Sequence, residues 1–302
     1  MARFARRLLH FRCKNEENLH LVHFKNQYYK RMKVLVIGGG NMGFTYAEAI
    51  AKSTILKTND LMILDKSEER VAELSTNPLL DGYTQLSACL PAADVIFIAV
   101  KPNHAQGLME EMRPFVNDEQ VFVSIMAGVT IKVIQEGLGM SKVIRAMPNL
   151  PAQVGLGMTS FTASPEVSRL ERSTIKQLLD TTGRSIYLDT EKDIDASTGI
   201  SGSGPAYIFY FMQSMMEAAQ QMGFSAREAR TLVYQTFAGA VELFGSSDLD
   251  PNAWMAKVAS KGGTTQAALD SMEDNNVKEQ IKEAAYAAFN RAVELGKEFN
   301  HA

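Results

Sequence analysis

Lys33-Val34-Leu35-Val36-Ile37-Gly38-Gly39-Gly40-Asn41-Met42-Gly43 is the stretch on which the fold turns. A short apolar run stops at three glycines and passes into a segment, Asn41 to about Ser53, with small residues on one helical face. Gly38, Gly40 and Gly43 occupy the positions of a G-x-G-x-x-G fingerprint. The first glycine of such a turn permits the tight bend, the second lets backbone approach a pyrophosphate, and the third lets helix and strand pack closely. The helix that follows offers free N–H groups and a positive dipole end to phosphates. Alone the hexapeptide is weak evidence. Lying between a strand and a helix, at the head of a βαβ unit, it points to a dinucleotide site. The alternative is a glycine-rich turn that holds no ligand.

The chain beyond it keeps alternating. Leu61–Leu64 reads as a second strand closed by Asp65, and Ser67 caps a helix with half a capping box, Ser-x-x-Arg. Val95–Val100, Val121–Ile125 and Lys142–Ala146 are further strands. Their continuous Val- and Ile-rich runs suit a parallel sheet buried on both faces. Gly157–Thr162 and Ser185–Asp189 are two more strand candidates, with a helix from about Ser164-Pro165 to Thr181 between them. From Asp193 onward only helical stretches follow, broken at Gly223, Gly245–Pro251 and Lys261-Gly262-Gly263. The expectation is an α/β fold: a Rossmann-type doubly wound sheet over residues 32–191, then an all-helical domain over 192–302.

Asp65, at the end of the second strand, can accept hydrogen bonds from an adenosine ribose 2′-hydroxyl and would repel a 2′-phosphate, which favours NADH. Lys66 and Arg70 lie close enough in sequence to soften that repulsion. The other reading of Asp65 is a loop or helix N-terminal carboxylate. In the helical half, Ser260-Lys261-Gly262-Gly263-Thr264-Thr265 precedes a helix. Adjacent glycines let consecutive N–H groups converge on a carboxylate or phosphate, and two threonines add hydroxyl donors. A flexible Gly-Gly loop with threonine capping is the alternative. Ser201-Gly202-Ser203-Gly204-Pro205 opens a long helix running to about Met222; its glycines mean close approach, either to a ligand or to a packed neighbour.

The five histidines stand at His10, His20, His23, His104 and His301, so the helical half offers no Ser/His/Asp or Cys/His constellation, and no metal-ligand spacing occurs. A carbonyl substrate would want a histidine or lysine to protonate the alkoxide. An imine is basic enough to be protonated near neutral pH and needs no further acid, so the residues point to a C=N substrate.

Composition sets the outer limits. Hydrophobic residues at 46% and charged residues at 22% are ordinary for a soluble globular protein, and a net charge of −3 gives no reason to expect nucleic acid. No apolar run approaches the ~18 residues of a membrane span. Two scattered cysteines, Cys13 and Cys89, make no disulfide framework and fit a reducing, cytoplasmic compartment. Residues 1–31 stand apart, with eight basic residues against two acidic, followed by Met32, which reads like a natural start. They are read as a leader outside the fold: the product of an upstream start codon, an organelle targeting peptide or a basic arm for an anionic partner.

Taken together these motifs resemble pyrroline-5-carboxylate reductase, from Met32 to about Phe299. The resemblance rests on the fingerprint, then Ala99-Val100-Lys101-Pro102, Met126-Ala127-Gly128-Val129-Thr130, Arg145-Ala146-Met147-Pro148-Asn149, Ser201–Tyr207 and the Ser260–Thr265 loop, in family order. It implies a helical domain that forms a homodimer or larger homo-oligomer, and an active site often completed across the dimer. It implies NADPH or NADH as cofactor, no metal, and 1-pyrroline-5-carboxylate as substrate. Gly38, Gly40, Asn41, Met42, Gly43 and Asp65 would bind the dinucleotide, with Ala99, Val100, Lys101, Pro102, Ala127 and Gly128 lining it between ribose and nicotinamide. Ser260, Gly262, Gly263, Thr264 and Ser203 would bind substrate, and Thr265 would hydrogen-bond the ring nitrogen as the catalytic residue.

Three departures stand out. Lys261 replaces the proline of the usual Ser-Pro-Gly-Gly loop, Trp254 replaces an aliphatic residue, and Gln85-Leu86-Ser87 lacks an asparagine that relatives place before the next strand. Another imine reductase or a β-hydroxyacid dehydrogenase-like enzyme shares the two-domain plan. The latter needs a lysine early in the long helix, and Ser201–Met222 contains none. A non-catalytic dinucleotide sensor or a scaffold would leave the carboxylate loop without a purpose.

Overall fold

The computed structural model describes residues 32–56 and 60–300, so the leader and the readings placed on it lie outside the described residues. Its sheet-forming half runs β1 (Val34–Ile37), α1 (Asn41–Lys52), β2 (Leu61–Leu64), α2 (Glu68–Leu74), β3 (Asp81–Tyr83), α3 (Leu86–Cys89), β4 (Val95–Ile98), α4 (Ala105–Met112), β5 (Val121–Ser124), α5 (Ile131–Leu138), β6 (Val143–Met147), β7 (Gly157–Ala163), α6 (Arg169–Leu179) and β8 (Gly183–Tyr187). The helical half follows as α7 (Glu191–Ser197), a π turn at Thr198–Gly202, α8 (Gly204–Gln221), α9 (Ala226–Gly245), α10 (Pro251–Val258), α11 (Thr264–Asp274) and α12 (Val277–Asn300).

β1, β2, β4 and β5 are buried at every position, which is why their sequences run apolar instead of alternating. The pleat sends successive side chains to opposite faces. Val34, Val36, Ile63 and Phe97 join Tyr46 and Ile50 of α1 in one core layer. Leu35, Ile37, Ile96, Ile98 and Phe122 join Leu108 and Met112 of α4 and Ile134 of α5 in the other. Tyr46 fixes α1 further: its ring stacks on Phe97 at 5.5 Å and its buried hydroxyl bonds Thr159 Oγ1 of β7 at 2.8 Å.

The strands form one eight-stranded sheet in the order β3-β2-β1-β4-β5-β6-β7-β8. The order reverses at β1, where β2 pairs on one side and β4 on the other, and ligand crevices open at such a switch point. All pairs are parallel except β6–β7. The segment between Met147 and Gly157 is too short for a crossover of about a dozen residues, so β7 turns back. β3 departs from the sequence reading, which had no strand there. Asp81-Gly82-Tyr83 is half-buried and carries no apolar run, and only its pairing with Met62–Leu64 makes it a strand. α6 starts at Arg169, later than expected, because Ser168 and Glu171 close a capping box there. β8 begins two residues before the expected Ser185, at Gly183, and ends at Tyr187.

A buried ion cluster joins the two halves. Arg145 of β6 is 3% exposed and pairs with Glu191 at 3.2 Å and Asp195 at 2.5 Å, both on α7. Glu191 also accepts the Ile131 backbone N–H at 2.9 Å, which ties the start of α5 to the same carboxylate. Asn149 donates to the Ser201 carbonyl at 3.0 Å and accepts from the Met158 N–H at 2.8 Å. The outer helices bury little within the chain. α8, α10 and α11 contribute no buried residue, and Phe209, Tyr210, Tyr234, Val241 and Phe244 are each more than half exposed.

Candidate active site

The three fingerprint glycines turn out to answer three different demands. Gly38 has φ +103°, a conformation L side chains rarely adopt, and a Cβ there would meet the Ala99 carbonyl at 2.8 Å. At Gly43 a Cβ would lie 1.9 Å from the Gly38 carbonyl oxygen, so α1 can approach β1 only without a side chain. Gly40 is different: a Cβ there would meet nothing within 4 Å. No packing inside the protein asks for glycine at that place. Gly40 is also the N-cap of α1 and carries no capping side chain, so the first N–H groups of the helix face outward without a protein acceptor from the cap. Space plus aligned donors fits a pyrophosphate, and a resident dinucleotide suits these residues.

Beside this turn a cleft of about 600 Å³ is lined by Gly38, Gly40, Asp65, Lys66, Ala99, Val100, Lys101, Asn103, His104, Gly107 and Leu108, together with the strand ends Ile37 and Leu64. Six of the expected cofactor residues, Gly38, Gly40, Asp65, Ala99, Val100 and Lys101, thus share one wall system. Asn41, Met42 and Gly43 belong to the first turn of α1, where Met42 packs on the core. Pro102 starts the turn that leads into α4. Ala127 and Gly128 lie in the loop after β5, Gly128 with φ +78°, and α12 passes over this loop at Gly296. Asn103, His104, Gly107 and Leu108 were not foreseen. They follow the recognised Ala99–Pro102 motif, and only the turn at Pro102–His104 swings them onto the cleft.

Asp65 takes the place of the second reading given to it, a carboxylate that holds a loop and a helix start. One carboxylate oxygen accepts the Gly39 N–H at 2.8 Å and the other accepts the Ser67 N–H at 3.0 Å. It braces the glycine turn against the start of α2 and still lines the cleft, with lone pairs to spare for a ribose hydroxyl. Cys89 is buried, and burial pushes its thiol up to about 11, so it is neutral at physiological pH and no nucleophile.

The second glycine loop stands at the head of α11. Gly262 has φ +73°, and Gly263 is the N-cap, in extended conformation, with no side-chain cap. The Gly263 N–H is held by the Ser260 carbonyl at 2.9 Å, which folds the loop back on itself. Thr264 and Thr265 occupy the first turn; Lys261 and Gly262 are exposed. None of Ser260–Thr265 lines the dinucleotide cleft. The chain's own fold therefore does not bring the two predicted halves of the site together in that cleft. Ser203 follows the π turn as its C-cap; Gly202 packs against Met147, a Cβ there lying 3.1 Å from its Cε, while Gly204 faces open space. Trp254 keeps a buried indole N–H without a partner among the described residues, and its ring carries the Lys257 ammonium at 4.9 Å.

Residues 33–128 match the family described as NADP oxidoreductase, coenzyme F420-dependent, and residues 191–295 match that described as pyrroline-5-carboxylate reductase dimerisation. Pyrroline-5-carboxylate reductase 2 of Bacillus subtilis (strain 168) is 32% identical over 269 residues, covering 88% of this chain and 96% of that protein. The chain belongs to the pyrroline-5-carboxylate reductase family. Solved structures agree. A pyrroline-5-carboxylate reductase from Coxiella burnetii superposes with a TM-score of 0.83 at 29% identity, covering 88% of this chain and 99% of that one. A pyrroline carboxylate reductase of Plasmodium falciparum, solved with NADP bound, gives a TM-score of 0.78 at 29% identity, covering 88% of this chain and 98% of that one. The reductase family thus accounts for both halves of the fold, and the helical half is of its dimerising type.

Proposed function

We propose that this chain reduces 1-pyrroline-5-carboxylate to L-proline with a reduced nicotinamide dinucleotide, as a homodimer or larger homo-oligomer in a reducing, cytoplasmic compartment. The observation that carries the reading is the pairing, in one chain of this family, of an open dinucleotide turn at Gly40 with an uncapped amide loop at Gly262–Gly263. The bound dinucleotide supplies the hydride for the C=N carbon. Every other demand falls on the chain. Gly38, Gly40, Asn41, Met42 and Gly43 present the helix amides to the pyrophosphate. Asp65 takes the ribose hydroxyls. Ala99–Pro102 and Ala127–Gly128 wall the region between ribose and nicotinamide. The amides of Gly262 and Thr264, with Ser260 and Ser203, hold the substrate carboxylate, Gly263 keeps the loop folded through its N–H to the Ser260 carbonyl, and Lys261 adds a cation beside them. The Ser260–Thr265 loop is not among the residues that line the cleft, which supports a site completed by the loop of a second copy.

The iminium needs no protein acid, so positioning of the two reactants supplies most of the rate. Thr265 hydrogen-bonds the ring nitrogen in this reading. Thr265→Ala is expected to lower kcat/KM by about tenfold or more, the loss of roughly 1.4 kcal/mol of transition-state stabilisation. Steady-state kinetics with both substrates varied would check it, and unchanged kinetics would remove Thr265 from the mechanism. Asp65 further favours NADH over NADPH. The test of the whole reading is dinucleotide oxidation, NADH and NADPH at matched concentration, with and without 1-pyrroline-5-carboxylate. Substrate-dependent turnover with proline formed is expected, faster with NADH. No turnover with either would move the substrate to another imine and turn attention to Lys261.

A further inference from the structure

Asp65 and Lys66 line the dinucleotide cleft, and contacts link this stretch to a second cation, Arg70, and to two further carboxylates, Glu73 and Glu111. Lys66 follows Asp65 directly and lines the cleft. Its ammonium lies 2.9 Å from Glu111 Oε1 on α4, the same helix that lends Gly107 and Leu108 to the cleft lining. Arg70 is held as well. Its Nε donates to the Gly39 carbonyl at 2.8 Å, its Nη1 meets Glu73 at 2.5 Å, and its guanidinium lies over the Phe44 ring at 5.3 Å. Lys66 and Arg70, the two cations that follow Asp65 on the chain, are therefore each already matched to a carboxylate, and Asp65 leaves one negative charge in excess among these five groups.

We infer that Glu111 is a specificity-determining residue: it pairs with Lys66 and keeps it from a 2′-phosphate, so that the site takes NADH in preference to NADPH. This rests on the reading of Asp65 as the ribose-binding carboxylate. A 2′-hydroxyl needs only an acceptor, which Asp65 supplies. A 2′-phosphate adds up to about two negative charges and needs a cation free to turn toward it. The Lys66–Glu111 pair is exposed, at 72% and 51% of the two side chains, so it is easily outcompeted and its effect is modest. Arg70 is the less mobile cation, pinned by the glycine-turn carbonyl as well as by Glu73, so Lys66 is the one that a single substitution can release.

The experiment compares kcat/KM for NADPH and NADH in the wild type, Glu111→Gln, Lys66→Ala and the double variant, with the intact oligomer and 1-pyrroline-5-carboxylate saturating. Glu111→Gln is expected to raise the NADPH/NADH ratio about three- to tenfold, with NADH turnover changing less than twofold. The gain should vanish in the double variant and shrink as ionic strength rises. An unchanged ratio in Glu111→Gln overturns the inference, as does a gain that survives removal of Lys66. The reading of Asp65 is judged separately by the wild-type ratio. A wild type that favours NADPH defeats that reading whatever Glu111 does, whereas a wild type that favours NADH with an inert Glu111→Gln defeats only the role given to Glu111.

Discussion

Gly40→Ala is expected to raise the KM for the dinucleotide by about thirtyfold, roughly 2 kcal/mol, while leaving the fold nearly as stable as before. The added methyl meets no protein atom within 4 Å, and the backbone there, at φ −68°, suits alanine. Replacing glycine by alanine at an N-cap costs up to about 1 kcal/mol, less than the overpacking expected at Gly43. The methyl would instead occupy the space through which the pyrophosphate reaches the α1 amides. Gly43→Ala should behave differently. Its methyl would be driven into the Gly38 carbonyl, forcing α1 away from β1 and removing the donors from the phosphate site together with the packing beneath them. Thermal unfolding should fall by several degrees, in line with about 3 kcal/mol of overpacking, and dinucleotide binding should fall with it. Thermal melts and dinucleotide titration of the two variants side by side decide the matter. Equal destabilisation by both would show that Gly40 serves packing and leave the open turn without its ligand.

The second large effect concerns the cluster between sheet and helices. Arg145→Ala should destabilise the protein by about 3 kcal/mol, because removing one partner of a buried pair leaves uncompensated charge. The value sits at the lower end of the usual range, since Glu191 and Asp195 keep 32% and 16% of their side-chain exposure and can partly rehydrate. Arg145→Lys should recover only part of the loss. A single ammonium cannot span two carboxylates as a planar guanidinium does. Denaturant unfolding at fixed protomer concentration measures both. A stability within about 0.5 kcal/mol of wild type for Arg145→Ala would show that the cluster is a hydrated contact and does not hold the halves together.

Most of the sheet was legible because its central strands are buried on both faces and so announce themselves as apolar runs. β3 was not, for it is made by its neighbour and not by its own residues. The reversal at β7 lay in the length of a connection, not in the strand's composition. Within the site, the glycine turn could be read from the spacing of its glycines, though only the structure separates the two needed for packing, Gly38 and Gly43, from Gly40, which is left open. Arg145 was visible as part of a motif, yet nothing in the motif says that its partners are Glu191 and Asp195, some 50 positions on. Lys66 and Glu111 are further apart in chain than any local pattern can reach, and they meet only because β2 and α4 frame one cleft.

The apolar side chains that α8 and α9 leave exposed carry a consequence for handling the enzyme. Phe209, Tyr210, Tyr234, Val241 and Phe244 lie in the half that belongs to a dimerising family, so folding and association draw on the same surface. Mass action then enters the apparent stability. The melting temperature should climb with protein concentration, and specific activity should decay on dilution and return when the protein is concentrated again.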